Sequence, residues 1–164
     1  MRKYFERFIK KLIKGKEDLA LKGKLTINII NEVTGEIKTV TEDNLVILAG
    51  RNLVRDLLAG DTVSGLTHMA LGTDTSDPSV TPTITEAFRK TLTSSTKADG
   101  KLTVDMFLAS SEANGNTLTS AALFGNGATD TAGSGSQYNK VVYAAIEKTS
   151  SLTVTYTWEL TFNA

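Results

Sequence analysis

Three carboxylates, Asp74, Asp77 and Glu86, fall within "LGTDTSDPSVTPTITEAF". Oxygen ligands of this kind suit a hard cation such as calcium. Their spacing is not that of a calcium-binding helix–loop–helix, however. Aspartates in a Pro/Ser/Thr loop commonly accept their own backbone amides in Asx-turns. The structural role is therefore the expectation, with no metal. His68, the one histidine, lies in the alternating stretch "GLTHMALG". A general base needs an orienting partner and a nucleophile, and no nucleophile motif adjoins it. His68 reads as a structural or interface residue. With no cysteine in the chain, disulfides and thiolate metal sites are excluded.

The stretch Gly125–Ser136 is glycine-rich enough to suggest a phosphate cradle. It lacks both the dinucleotide glycine spacing and a Gly-Lys-Ser/Thr end. No helical pattern follows to aim an N-terminus at a phosphate. It reads as an exposed connection between strands, mobile unless a neighbour covers it. The aromatic residues mostly occupy strand positions, where core packing explains them. Loops 73–82 and 110–116 contain none, which argues against a sugar platform there. No catalytic constellation emerges and no cofactor is implied, so the expectation is a protein that is not an enzyme.

The elements that would position these residues are mostly strands. "KLTINIINEVTGEIKTV" alternates on both sides of Thr34-Gly35, a hairpin signal. Leu53, Val54, Leu57 and Leu58 sit at helical spacing before Gly60, predicting a helix over Leu48–Ala59. "GLTHMALGTD" reads as a strand entering a Pro/Thr loop. "AFRKTLTSSTKADGKLTVDMFLASS" reads as two strands around Ala98-Asp99-Gly100, with a further turn at "EANGN" and a strand at "TLTSAALFG". At the end, Leu152, Val154, Tyr156, Trp158, Leu160 and Phe162 alternate with Thr153, Thr155, Thr157, Glu159 and Thr161. Short strands, regular turns and one short helix predict a mainly β fold, an antiparallel, jelly-roll-like β-sandwich with wet outer faces.

The chain divides at Lys24. Residues 1–24 carry a net charge of +6 and residues 25–164 a net charge of −6. The expected organisation is a basic amphipathic N-terminal helix or arm over 1–24 and a β-sandwich domain over 25–164. On a helical wheel Tyr4, Phe5, Phe8, Ile9, Leu12 and Ile13 cover one side. Arg7, Lys10, Lys11 and Lys14 lie opposite. The interrupting charges exclude a secretory signal, and no apolar run reaches the ~18–20 residues of a membrane span.

Several stretches, taken in order, resemble a class of tailed-bacteriophage virion proteins, among them tail-fibre, receptor-binding and minor structural proteins. They are "NLVILAGRNLVRDLLAG", "LTHMALGTDTSDPSVTPT" followed by "EAFRKTLT", then "SAALFG", and finally "YNKVVYAAIEKTSSLTVTYTWELTF". The resemblance runs from about Leu25 to Phe162. Where the class has Glu-x-Gly-Leu-Phe, this chain has "TSAALFG". The resemblance implies a non-enzymatic virion protein, assembled in the host cytoplasm and built into the particle exterior as a symmetric homo-oligomer, a trimer being favoured. Its partners would be other virion proteins, with a host surface receptor as a further candidate. Since the sequence stops at Ala164, without a long shaft, the expectation is an adaptor, short spike or capsid decoration rather than a complete fibre.

In this setting the N-terminal segment reads as a docking element, with Tyr4, Phe5, Phe8, Ile9, Lys10, Leu12, Ile13 and Lys14 as its contact residues. A membrane-surface role fits the moment and the basic face. Nucleic acid fits the charge. Neither is favoured over a protein partner, given the acidic body. A carbohydrate-binding module is the alternative of another class.

Overall fold

A computed structural model describes residues 20–163. The predicted N-terminal helix, with its docking residues Tyr4 to Lys14, lies outside them. The described chain is mainly β and antiparallel, with one helix among the described residues. The strands are β1 (Ala20–Asn31), β2 (Ile37–Val46), β3 (Leu66–Gly72), β4 (Glu86–Thr91), β5 (Ser94–Ala98), β6 (Lys101–Leu108), β7 (Thr117–Gly125), β8 (Ser136–Gln137), β9 (Asn139–Glu147) and β10 (Leu152–Asn163); the helix α1 spans Leu48–Ala59.

These strands form one curled, antiparallel ten-stranded sheet. Its order is β4-β3-β7-β9-β2-β1-β10-β6-β5, with β8 paired to β7 on the side. The joint is narrow: β2 and β9 meet only through Leu45–Lys140 and Val46–Asn139. The joint divides the sheet into a five-stranded half (β2-β1-β10-β6-β5) and a four-stranded half (β4-β3-β7-β9). One apolar cluster unites Leu25, Ile27, Met106 and Trp158 of the first with Met69, Leu71, Leu123 and Val141 of the second. Across it the Tyr143 and Tyr156 rings lie 6.2 Å apart, tilted by 53°, and their hydroxyls are 3.3 Å apart.

β10 lies between β1 and β6. Its apolar positions Val154, Tyr156, Trp158 and Leu160 are buried and the intervening positions are half-exposed, as a period of two demands. The Trp158 indole N–H meets no acceptor among the described residues. Gly60 ends α1 in the left-handed conformation (φ 85°), with its N–H on the Leu57 carbonyl at 3.2 Å. The hairpin at Thr34-Gly35 closes with the Gly35 N–H on the Asn31 carbonyl at 2.7 Å, and Gly35 has φ +73°.

Two expectations are corrected. "AFRKTLTSSTKA" is two strands, not one. The Leu92 N–H bonds the Thr67 carbonyl of β3, whereas the next amide, of Thr93, bonds the Asp105 carbonyl of β6. The chain thus steps from one half of the sheet to the other between adjacent residues. The outer face of the four-stranded half is also not wet. Ala70, Ala122 and Phe124 form a second small core there with Ile84 of the preceding loop. All of β7 after Thr117 is buried.

Candidate functional site

The loops that cover the four-stranded half are held by buried cations. Lys140 on β9 is adjacent to the core residue Val141, so strand alternation turns it to the loop-covered side. It is fully buried. Its ammonium donates to the Asp74 carboxylate, to Ser76 Oγ at 3.1 Å and to the carbonyls of Thr81 and Thr83 at 2.9 and 3.1 Å. Loop 73–85 is therefore folded around a lysine. A buried charge is tolerated when it is paired and its remaining hydrogen-bonding capacity is met. Burial by itself would raise the Asp74 carboxyl; donors from Lys140, the Thr85 amide, Ser120 and Ser76 outweigh it and hold it at about 2.

Arg89 on β4 does the same for the glycine-rich loop. Its guanidinium lies over the Phe124 ring, 3.9 Å from the centroid. It forks onto Glu86, with Nε–Oε2 at 2.8 Å and Nη2–Oε1 at 2.6 Å. Nη1 donates to the Ser134 carbonyl at 2.8 Å. The Gly133 N–H donates to Glu86 Oε1 at 3.1 Å. The glycine-rich loop thus wraps an internal ion pair. The same loop brings Asp130 to His68: Nε2 lies 3.4 Å from Asp130 Oδ1, and Nδ1 lies 2.8 Å from Thr67 Oγ1.

Loop 109–116 repeats the device. Lys148, buried after β9, donates to the Ser110 and Thr149 carbonyls at 3.2 and 2.9 Å and to Asn114 Oδ1 at 3.0 Å. Burial pushes its ammonium below the usual lysine value, against the nearby Glu112 carboxylate. Glu112 pairs with Lys90 at 2.7 Å, tying this loop to β4.

The three carboxylates considered as calcium ligands do not gather. Asp74 faces Lys140, Glu86 faces Arg89, and Asp77 accepts from the Ser79 amide at 2.8 Å in its own turn. Among the described residues no three His, Asp or Glu side chains form a metal-binding set. None of the described helices is long and apolar enough to cross a membrane.

What stays available is apolar. Beside α1 an apolar groove of about 210 Å³ is lined by Val54, Leu57, Val63, Leu102, Leu160 and Phe162, among others. Leu57 is 60% exposed and Leu58 78%, although both belong to the apolar spacing that identified the helix. A wider cleft of about 540 Å³ lies between Thr83-Ile84, Gly133 and Gln137. Its acid, Glu86, is already held by Arg89 and Gly133.

Sequence reasoning picked out Asp74, Asp77, Glu86 and His68 but missed Lys140 and Arg89, the partners of Asp74 and Glu86. The available signal was a lysine inside "YNKVVY" and an arginine inside "EAFRKT", cations set in otherwise strand-like runs. No protein-family model, curated protein or solved structure matches the chain.

Proposed function

We propose that this chain is a non-enzymatic structural protein of a phage particle, a short tail-fibre, adaptor or spike module on the virion exterior, joined to its neighbours through Tyr4–Ile13. The observation that carries the reading is the exposed apolar side of α1 with the groove beside it. A contiguous apolar surface left in water marks an interaction site. The polar groups that could have served catalysis support the same view: Asp74, Glu86, Arg89, Lys140 and Lys148 are each engaged in holding a loop. A body with its loops locked in this way suits a part that must keep its shape within an assembly. The finer description of the fold as a jelly-roll-like sandwich belongs to the same proposal. Its support is the single core shared by the two facing halves of the sheet.

The order of the sequence stretches, from "NLVILAGRNLVRDLLAG" to "TYTWELTF", supports a virion origin. The test is direct. Antibodies raised against the chain should label the outside of gradient-purified particles from its source, and the chain should be present in them in stoichiometric amount. Particles that lack the chain would refute the reading.

A further inference from the structure

We infer that the outer edge of β2, over Ile37–Asp43, pairs antiparallel with the same edge of a second copy of this chain, so that the five-stranded halves of two copies join into one continuous sheet. The contact lies wholly within the described residues and stands apart from the docking assigned to Tyr4–Ile13.

The edge is open. β2 pairs with β1 from Ile37 to Asn44 but meets β9 only at Leu45 and Val46. Along an antiparallel strand the backbone groups of successive residues turn to opposite sides. The Glu36 carbonyl accepts the Asn31 N–H, on the β1 side, and the Ile47 N–H reaches the Tyr138 carbonyl on the other. Odd-numbered residues therefore turn outward. The N–H and C=O groups of Ile37, Thr39, Thr41 and Asp43 have no strand partner among the described residues. Natural edges are usually kept short, bent by bulges or interrupted by proline, because an open ladder invites a further strand. β5 is short, at five residues. β9 is bent by a register shift against β7 between Leu118 and Ser120. β2 is regular against β1 and contains no proline, and its centre, Thr39-Val40-Thr41, is β-branched throughout.

The side chains of this edge select a second copy as its partner. Two copies of one edge meet about a twofold axis, so the surface must be its own complement. An axis at Val40 sets Thr39 opposite the other copy's Thr41, and Ile37 opposite its Asp43. Every outward N–H and C=O from Ile37 to Asp43 is then paired. The same axis sets Lys38 opposite the other copy's Glu42 and, by symmetry, Glu42 opposite its Lys38. Neither forms an ion pair with another described side chain. Opposite charges facing each other across two strands are favourable, and like charges are not. An axis at Thr39 would place Glu36 against Glu42 and Asp43 against Gly35, a turn residue. An axis at Thr41 would place Val40 against Glu42 and Ile37 against Leu45, which β9 already occupies. Charge and hydrogen bonding thus specify one register.

A contact of so few residues a side falls well below the ~1,000 Å² that a lasting association buries. The pairing is weak between free chains, and trapping is the way to see it. The chain has no cysteine, so an introduced one reports the axis. In this register the two Val40 residues face each other at a non-hydrogen-bonded position, with Cα atoms ~4.5 Å apart, within disulfide reach. Val40→Cys keeps a small apolar side chain at a half-buried site. Oxidation of the concentrated full-length variant should give a reducible dimer at about tenfold or more the yield of a Val33→Cys control; Val33 lies on the β1–β2 turn and is 79% exposed. In the Val40→Cys background, Lys38→Glu and Glu42→Lys should each bring the yield down towards the control, and the two together should restore it. A yield equal to the control overturns the inference. So do single charge variants without effect, or a double exchange that fails to restore the yield. Particle labelling reports separately: a cross-link without labelling sinks the virion reading alone, and labelling without a cross-link sinks this inference alone.

Discussion

Lys140 and Asp74 form an ion pair between β9 and the loop after β3, 66 residues apart in sequence. Neither side of the pair can be removed cheaply, because the other would be left charged with little water to solvate it: the Lys140 side chain is fully buried and that of Asp74 only 15% exposed. Lys140→Met should lower stability by about 3–5 kcal/mol, the range for breaking a buried pair. The double variant Lys140→Met/Asp74→Leu should recover much of that loss. Thermal or denaturant unfolding of the three proteins checks it.

The same pair gives a pH dependence. Asp74 is depressed in the folded chain to about 2 from an ordinary value of 3.8. A depressed carboxyl contributes stability that is fully present above its unfolded value and lost as pH falls through the folded one. The loss should run from about pH 4 to pH 2 and amount to about 2 kcal/mol. Asp74→Asn should flatten this part of the stability–pH curve.

Trp158 should behave as a core residue with one defect. Trp158→Ala should cost about 3–5 kcal/mol, as for other large buried aromatics. Trp158→Phe should cost much less, because it also removes an indole N–H that has no acceptor among the described residues. Denaturant midpoints at constant slope measure both.

Gly50 sits inside α1, where alanine would ordinarily be favoured by about 1 kcal/mol. Here a Cβ would lie 1.9 Å from the Tyr138 carbonyl oxygen. That backbone atom cannot swing aside, and it already accepts the Ile47 N–H at 3.2 Å. Gly50→Ala should therefore destabilise by about 1–3 kcal/mol, the usual overpacking cost, in the opposite direction to the helix-propensity rule.

Local signals made much of this legible. The stop at Gly60, the turn at Gly35 and the alternation of Leu152–Phe162 depend on neighbours a few residues apart, so a sequence displays them. The break at Leu92-Thr93 is different: it arises because β3 and β6, distant in sequence, each claim one amide. The buried cations were hidden for the same reason. Arg89 reaches Ser134 and Lys140 reaches Thr81 and Thr83 across 45, 59 and 57 residues, and no periodicity encodes such pairs. The spacing of Leu53, Val54, Leu57 and Leu58 predicted the helix but not the groove beside it, and the helix leaves Leu57 largely in solvent.

The native mass of the full chain in solution, by sedimentation with Phe8→Asp run beside it, shows whether copies of the chain associate through the N-terminal segment. The account predicts a multiple of the chain mass for the unaltered protein. It predicts a single-chain mass for Phe8→Asp with the strand content of the folded chain retained, and a melting temperature lowered by no more than the lost association accounts for. A monomeric unaltered chain would contradict the account, as would a Phe8→Asp variant that keeps its oligomeric mass or loses its fold.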